Sequence, residues 1–155
     1  MQRAVDDASD RQCLHVLAAQ GVAEAQYYLA IMHDFADGRP KDAVEARRLY
    51  GLAAVQGHVN AQYNLGYMHE NGEGGPEDAV EARQLYGLAA AQGDADAQTN
   101  LGVMYEIGEG GPKDAVEARR LYGLAAAQGH ANAQYNLGIL QGAWHRAGAT
   151  DVHQG

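Results

Sequence analysis

The chain has 155 residues, a formal net charge of -9 at pH 7 and a single cysteine. Such an acidic chain lacks the basic stripe that binds nucleic-acid phosphates, and one cysteine cannot form an internal disulfide. The most apolar stretches are alanine-rich helix faces too short to span a bilayer, and the first 20 residues contain no hydrophobic signal segment. We therefore expect a cytoplasmic protein without nucleic-acid or membrane partners.

Glycine and proline recur at a fixed distance along the chain. Every 36 residues the same residue type returns, at Gly21, Gly57, Gly93 and Gly129 and at Pro40, Pro76 and Pro112. The successive stretches 53–88 and 89–124 differ at only 10 of 36 positions. A repeat of this length predicts a solenoid of stacked helical hairpins. Since no segment alternates with the period of a strand, we expect an all-α fold.

The first predicted element is a helix over residues 6–20. It aligns with the second helix of each later repeat, which we name helix B, and the first helix of each repeat is helix A. Cys13 takes a position that is leucine in the repeats. We therefore expect Cys13 to be a small buried hydrophobic residue rather than a nucleophile or a ligand. The repeats follow at 21–56, 57–92 and 93–128.

The repeat 57–92 shows how each unit specifies its first helix. Helix A is predicted from Asn60, a suitable N-cap, to Asn71. Its apolar stripe consists of Ala61, Leu65 and Met68. Gly66 lies beside this stripe and has no side chain to hold a neighbouring helix away. A glycine-rich segment that ends at Pro76 should terminate the helix.

Helix B of this repeat is predicted from residue 79 to residue 92, with Gly93 as its stop. Asp78 and Glu81 form a predicted capping box, in which the aspartate bonds the N3 amide and the glutamate reaches back to the cap amide. The same pattern recurs at Asp42/Glu45 and Asp114/Glu117. One face of helix B carries Ala82, Leu85, Tyr86 and Ala89.

A last helix A occupies residues 129–141, after which the pattern fails. Residues 1–141 therefore form one domain of about eight helices. The tail 142–155 has neither the proline nor the capping box. We expect Trp144 to fold back as a cap over the last helix face and the rest of the tail to be mobile.

The residues that recur in register resemble the Sel1-like repeat, a relative of the tetratricopeptide repeat. In the second repeat they are Ala61, Leu65, Gly66, His69, Gly72, Glu73 and Gly74, then Asp78, Ala82, Leu85, Tyr86, Ala89, Ala90 and Gly93. The first repeat departs from the pattern at 35–39, where its glycine loop is replaced. The resemblance implies a right-handed α-solenoid that serves as a non-enzymatic adaptor or scaffold for a protein or peptide, without a cofactor.

The differences between the two central units are concentrated on helix A. Seven of the ten lie between positions 58 and 71, and positions 60, 63, 67 and 71 form one helical stripe. In tetratricopeptide-like solenoids helix A lines the concave surface, so this stripe should face a groove. Rings there would supply contact area, and amides would bond a peptide backbone. The candidate binding residues are Tyr27, Tyr63, Asn64, Tyr67, Asn100, Tyr135 and Asn136.

Several alternatives stay open. The tyrosines could instead pack between adjacent A helices, with the asparagines bonding neighbouring loops, and we weigh this equally with a groove. A small-molecule binder, metal-binding protein or hydrolase would use histidines and acids near the ends of helix A. Near-identical units could also stack end to end, although a monomer is our first expectation. We predict no metal site: His58 and His130 are two units apart and should be solvated loop residues.

Overall fold

The computed structural model describes residues 2–35 and 41–152, with the side chains of residues 8–35, 41–142 and 146. These residues form eight helices and no strand. The helices are α1 (Gln2–Ala19), α2 (Ala23–Asp34), α3 (Ala43–Ala54), α4 (Val59–Asn71), α5 (Ala79–Ala91), α6 (Ala95–Ile107), α7 (Ala115–Ala127) and α8 (Ala131–Val152). Extensive contacts join helices that follow one another in the chain. The predicted all-α solenoid is confirmed, with α2, α4, α6 and α8 as helices A.

The predicted apolar faces form the seam between helices A and B. Its buried residues in the second repeat are Ala61, Leu65 and Met68 of α4 and Ala82, Leu85, Tyr86 and Ala89 of α5. A Cβ built on Gly66 would lie 3.0 Å from ring carbons of Tyr86. The glycine therefore lets the tyrosine ring pack directly against the backbone of α4, as its position in the sequence indicated.

Each helix B begins at its predicted aspartate, but only one of the two hydrogen bonds of the predicted capping box forms. The Asp78 carboxylate accepts the N–H of Glu81 at 3.0 Å, and the other two repeats make the same bond. The N–H of Asp78 donates to the carbonyl of His69 at 2.8 Å instead of to Glu81. The reciprocal bond was predicted wrongly because the chain returning from helix A brings a backbone acceptor to this amide.

Helix α4 begins one residue earlier than predicted, and its N-cap is His58 rather than Asn60. His58 Nδ1 accepts the N–H of Ala61 at 3.2 Å. Asp94 occupies the same position in the next repeat and accepts the corresponding amide at 2.8 Å. A histidine nitrogen can therefore replace the oxygen of the usual capping residues, which the preference for Asn at N-caps does not anticipate.

The capping histidines also join one repeat to the next. His58 Nε2 lies 2.7 Å from the Glu24 carboxylate of α2, and its ring stacks on Tyr27 with centroids 4.5 Å apart. His130 Nε2 lies 2.7 Å from the carboxylate of Asp96. The two histidine side chains are only 13% and 20% exposed. Our prediction of solvated loop residues was wrong, because each ring fills the contact between two helices A.

Buried glutamines, not identified from the sequence, tie the units together. Gln62 is 4% exposed, donates to the carbonyl of Ala54 at 3.2 Å and accepts from Gln92 at 2.8 Å. Equivalent pairs join Gln26 to Gln56 and Gln98 to Gln128. A buried amide needs partners for its polar atoms. Here the carbonyl comes from helix B of the preceding repeat, and the second glutamine follows helix B of the same repeat. The signal in the sequence was the recurrence of these glutamines every 36 residues.

The two ends of the solenoid differ from the predictions. Cys13 is exposed rather than buried. Leu49, its counterpart in α3, is buried in a cluster with residues of α2 and α4, whereas no helix precedes α1 among the described residues.

At the other end α8 continues to Val152, beyond the predicted limit of 141, because no Gly-Pro segment stops it. The side chain of Trp144 lies outside the described residues, as do residues 36–40 of the altered first loop.

Candidate functional site

An open cleft of about 370 Å³ lies where helices α2 and α4 end. It is lined by Asp34, Phe35, Lys41, Tyr63, Asn64, Tyr67 and Glu73. Three of the predicted binding residues, Tyr63, Asn64 and Tyr67, therefore meet here. The cleft combines aromatic rings, an amide and charges of both signs, so it can contact apolar and polar parts of a ligand.

The predicted tyrosines fall into two groups. Tyr27 and Tyr63 are half-buried, and their ring centroids lie 6.0 and 5.7 Å from those of the buried tyrosines in the next helix B. Burial raises the pKa of both hydroxyls. Tyr67 and Tyr135 are 45% and 71% exposed. The first pair thus contributes to packing between helices, while the second pair presents its rings to solvent.

The predicted asparagines lie beside tyrosine hydroxyls. Asn100 Nδ2 donates to the Tyr63 hydroxyl at 3.4 Å. Burial raises the pKa of Tyr50 and Tyr122, and hydrogen bonds from Asn64 and Asn136 act in the opposite direction. A side-chain amide has two donors and an acceptor oxygen. Asn64 lies beside the hydroxyls of both Tyr27 and Tyr50, and Asn100 lies beside those of both Tyr63 and Tyr86, so the amide oxygen is the group through which each can bond a further donor.

Each buried tyrosine of a helix B faces a carboxylate at the end of helix A. The Tyr50 hydroxyl donates to Asp34 at 3.4 Å, and the Tyr122 hydroxyl donates to Glu106 at 2.6 Å. In the middle unit the Tyr86 hydroxyl and Glu70 Oε2 are both enclosed, and neither makes a well-formed hydrogen bond. Burial raises the pKa of Glu70, although the nearby Tyr86 lowers it. The middle unit therefore differs from its neighbours at this contact.

A lysine connects the first two units at the cleft. Lys41 Nζ lies 3.2 Å from the Asp34 carboxylate and 3.6 Å from that of Glu73. The hydrogen bond and attraction of Asp34 raise the pKa of Lys41. Position 77, which corresponds to Lys41 in the next unit, is a glutamate. The net charge around equivalent positions therefore changes from one unit to the next.

His69 and Glu70 point in different directions, as their adjacency on a helix predicted. His69 Nδ1 lies 2.5 Å from a guanidinium nitrogen of Arg47. Burial lowers the pKa of His69, and Arg47 lowers it further. Arg47 also donates to the carbonyl oxygens of Glu73 and Pro76 at 3.1 and 3.0 Å. His69 is thus part of the contact between helix B and the next loop, and it forms no dyad with Glu70.

A second cavity, of about 470 Å³, lies between α1, α2 and α3. Its polar lining includes His15, His33, Glu45 and Arg48. Arg48 bonds Glu45 at 2.5 Å, and this contact lowers the pKa of the glutamate. This cavity is where the alternative of a small ligand held by histidine and charged side chains would apply.

Among the described side chains, those of residues 8–35, 41–142 and 146, no three of histidine, cysteine, aspartate or glutamate come together in a way that could hold a metal ion. No helix of the described chain has both the length and the apolar character needed to cross a membrane.

Repeated A and B helices stacked in chain order define an α-helical repeat protein. The family model of the Sel1 repeat matches residues 23–58, 59–94, 95–130 and 131–150. The chain therefore belongs to the Sel1 repeat family, which confirms the resemblance and the 36-residue period. Proteins of this family are generally protein–protein interaction scaffolds and are typically non-enzymatic.

Solved structures share this fold. A protective antigen present in uropathogenic Escherichia coli strains, which displays an SLR fold, is 35% identical with a TM-score of 0.79, over 82% of this chain and 27% of that chain. A Sel1 repeat protein from Oxalobacter formigenes is 35% identical with a TM-score of 0.77, over 82% and 52%. Helicobacter pylori cysteine rich protein B is 26% identical with a TM-score of 0.57, over 60% and 70%.

The chain thus spans 27% and 52% of the length of the first two structures. The comparison with curated proteins gave no match.

Proposed function

We propose that the chain is a non-enzymatic scaffold that binds a peptide or an extended protein segment in a groove along the ends of its helices A. The observation that carries this proposal is the concentration of variation at one cleft of an otherwise uniform solenoid. Packing alone would hold equivalent positions constant, whereas a surface that contacts a ligand is free to differ from unit to unit.

The seven cleft positions can be compared with those 36 residues further on. Their counterparts are Glu70, Asn71, Glu77, Thr99, Asn100, Val103 and Glu109. Five of the seven pairs differ, and only the asparagine and the last glutamate are retained. Between the stretches 53–88 and 89–124 alone, the positions equivalent to the cleft differ at 4 of 7, and the remaining 29 positions differ at 6. The variation is therefore more than twice as dense at the cleft positions as elsewhere.

The side chains of the cleft suit a peptide. Tyr67 offers an exposed ring, which adds apolar contact area and loses little conformational entropy on binding. Asn64 and Asn100 repeat at the unit spacing, and each has an amide oxygen that can accept an N–H group of a peptide backbone. The groove therefore combines asparagines that recur in each unit with other side chains that change from unit to unit.

A peptide library tests the proposal. The purified chain is used to select binders from a phage library of random 12-residue peptides, and the affinities of synthetic copies are measured by fluorescence anisotropy. We expect Tyr67→Ala to weaken binding at least tenfold with little change in melting temperature, because the ring is exposed. Leu88 of α5 is 53% exposed, so Leu88→Ala is a matched control on helix B and should bind normally.

Two results would contradict the proposal. One is a library that yields no specific binder, and the other is a loss of affinity in Leu88→Ala but not in Tyr67→Ala. Tyr63 is a less selective probe, since its ring packs 5.7 Å from that of Tyr86. Tyr63→Ala should therefore lower the melting temperature as well as the affinity.

A further inference from the structure

The helices at the two ends of the solenoid each lack one partner helix. Helix α1 is a helix B with no helix A before it among the described residues, and α8 is a helix A with no helix B after it there. In between, the pairs α2–α3, α4–α5 and α6–α7 form the same seam three times. The open faces of α8 and α1 are therefore the two halves of an interface that the chain already makes.

The open face of α8 keeps the shape of an internal helix A. Leu137 is partly exposed, whereas the corresponding Leu65 is 8% exposed. Gly138 is exposed, and a Cβ built on it would meet nothing within 4 Å. At the corresponding Gly66 an added Cβ would lie 3.0 Å from ring carbons of Tyr86. The surface that receives a helix B is thus present on α8, and none of the described residues covers it.

The open face of α1 presents apolar side chains to solvent. Cys13 is exposed, and Leu17 is 36% exposed. Their counterparts in α5 are Leu85 and Ala89, which are 6% and 0% exposed because neighbouring helices cover them. Since burial of apolar surface favours association, both open faces are suited to contact with another helix.

The two open faces also match in their polar groups. In each internal seam the tyrosine of helix B lies near a carboxylate at the end of helix A. These pairs are Tyr50 and Asp34, Tyr86 and Glu70, and Tyr122 and Glu106. At the ends of the solenoid Leu14 replaces the tyrosine and Gly142 replaces the carboxylate. A seam between α8 and α1 would therefore bury no hydroxyl that needs this acceptor.

Charges at the matching ends of the two faces are of opposite sign. Asp10 of α1 is exposed, at a position that is a buried alanine in the other helices B. The helices of a seam run antiparallel, so the residues after Gly138 of α8 align with those before Leu14 of α1. Arg146 is exposed about two turns after Gly138. In a closed seam its guanidinium would lie at the end of α1 that carries Asp10, where it can offset the carboxylate charge.

We propose that α8 of one copy packs against α1 of a second copy and forms a fourth seam between helices A and B. The occupant of each open face is a second copy of this chain, because the two faces match and continue the internal stacking. Each pair of joined copies leaves one α1 and one α8 open, so the contact is head-to-tail and can extend into longer chains. End-to-end association is thereby favoured over the monomer that we expected from the sequence.

The single cysteine provides a test based on the geometry of the internal seam. A Cβ on Gly66 would lie 3.4 Å from the Cβ of Leu85, close to the Cβ separation of a disulfide. Gly138 and Cys13 occupy these two positions on the open faces. A Gly138→Cys variant can therefore form a disulfide with Cys13 across the proposed contact. Because the two residues lie in the last and first helices of the solenoid, such a bond would join two copies.

Oxidation of Gly138→Cys in air should give disulfide-linked dimers and longer chains on a non-reducing gel. Mass spectra of the digested product should show Cys13 bonded to the introduced cysteine. Gly87→Cys is the matched control, since an added Cβ there also meets nothing within 4 Å but lies on neither end face. It should give at least fivefold less linked protein. Equal linking in the two variants, or no bond between Cys13 and position 138, would overturn the proposal.

Light scattering under reducing conditions tests the contact without a covalent bond. We expect the average mass of the unmodified chain to rise above 16.5 kDa as its concentration is increased. Gly138→Gln places a long side chain in the seam and should weaken association at least tenfold, whereas Gly87→Gln should associate normally. A mass that stays at 16.5 kDa at every concentration, or Gly138→Gln that associates like the unmodified chain, would contradict the head-to-tail contact.

Discussion

In the seam between helices A and B, Ala82, Leu85 and Tyr86 of α5 have identical, buried counterparts in α3 and α7. In the cleft at the ends of helices A, five of seven positions change between successive units. The seam is constant because each of its residues must fit against a neighbour of fixed shape. The cleft can vary because its side chains border solvent. The seam residues therefore stack the units, and the cleft residues make the surface of one unit differ from that of the next.

The glycine-rich loops of the second and third repeats belong to the constant part. Gly74 has φ +68°, and a Cβ at this position would collide with the backbone carbonyl of Ala43 at the start of α3. Gly110 has the same relation to Ala79 of α5. The glycine-rich loop of one repeat therefore packs on the N-terminus of the preceding helix B, where no other residue fits.

The largest expected effect comes from filling this contact. Gly74→Ala adds a collision to left-handed backbone strain and should lower the free energy of unfolding by about 3 kcal/mol. Gly93 has φ +95° and open space around it, so Gly93→Ala should cost only about 1 kcal/mol. Urea denaturation of both variants checks the difference. Equal losses would mean that the loop contact contributes nothing beyond backbone strain.

A second comparison concerns the buried tyrosines. Tyr122→Phe removes a 2.6 Å hydrogen bond to Glu106 and should cost about 1.5 kcal/mol. Tyr86→Phe should cost less than about 0.5 kcal/mol, because its hydroxyl makes no well-formed bond. The two proteins are measured side by side by chemical denaturation. A larger loss for Tyr86→Phe would remove the distinction between the middle unit and its neighbours.

The smallest effect is expected on the exposed side of helix B. Arg48 and Arg120 pair with Glu45 and Glu117 at 2.5 Å, whereas the middle unit has glutamine at position 84. Gln84→Arg should add about 0.3 kcal/mol of stability by pairing with Glu81. The gain should disappear in 1 M salt, where exposed pairs are screened. A gain that persists in salt would indicate a cause other than the ion pair.

The parts of the fold that depend on local pattern were predictable. The aspartate caps of helices B, the Leu85–Tyr86 face and the glycine stops follow from residues within one hairpin. Contacts between hairpins were not predictable from one unit alone. His58 became a cap and a link to Glu24 because the neighbouring helix A approaches it, and Cys13 is exposed because no helix A packs on that side of α1 in the described residues.

Prediction of the candidate site was limited in the same way, because contacts between helices could not be read from the sequence pattern. Periodicity placed Tyr63, Asn64 and Tyr67 on one face of helix A, and the three line one cleft. Spacing did not reveal that Tyr63 also packs against Tyr86 or that Lys41 joins Asp34 to Glu73. Both contacts connect side chains of different helices, so they depend on the stacking geometry rather than on the pattern within a helix.

The most direct test of the division between seam and cleft exchanges varied helix A residues of one unit, two of them in the cleft, for those of the next. The variant Tyr63→Thr, Tyr67→Val, Asn71→Ile gives these positions the residues of the third helix A. It changes no buried residue of the seam but removes the contact between the rings of Tyr63 and Tyr86. Its affinity for library-selected peptides is measured with its melting temperature. We predict a fall in melting temperature of less than about 8 °C and at least a tenfold loss of affinity. Unchanged affinity, or a chain that no longer folds, would contradict the account.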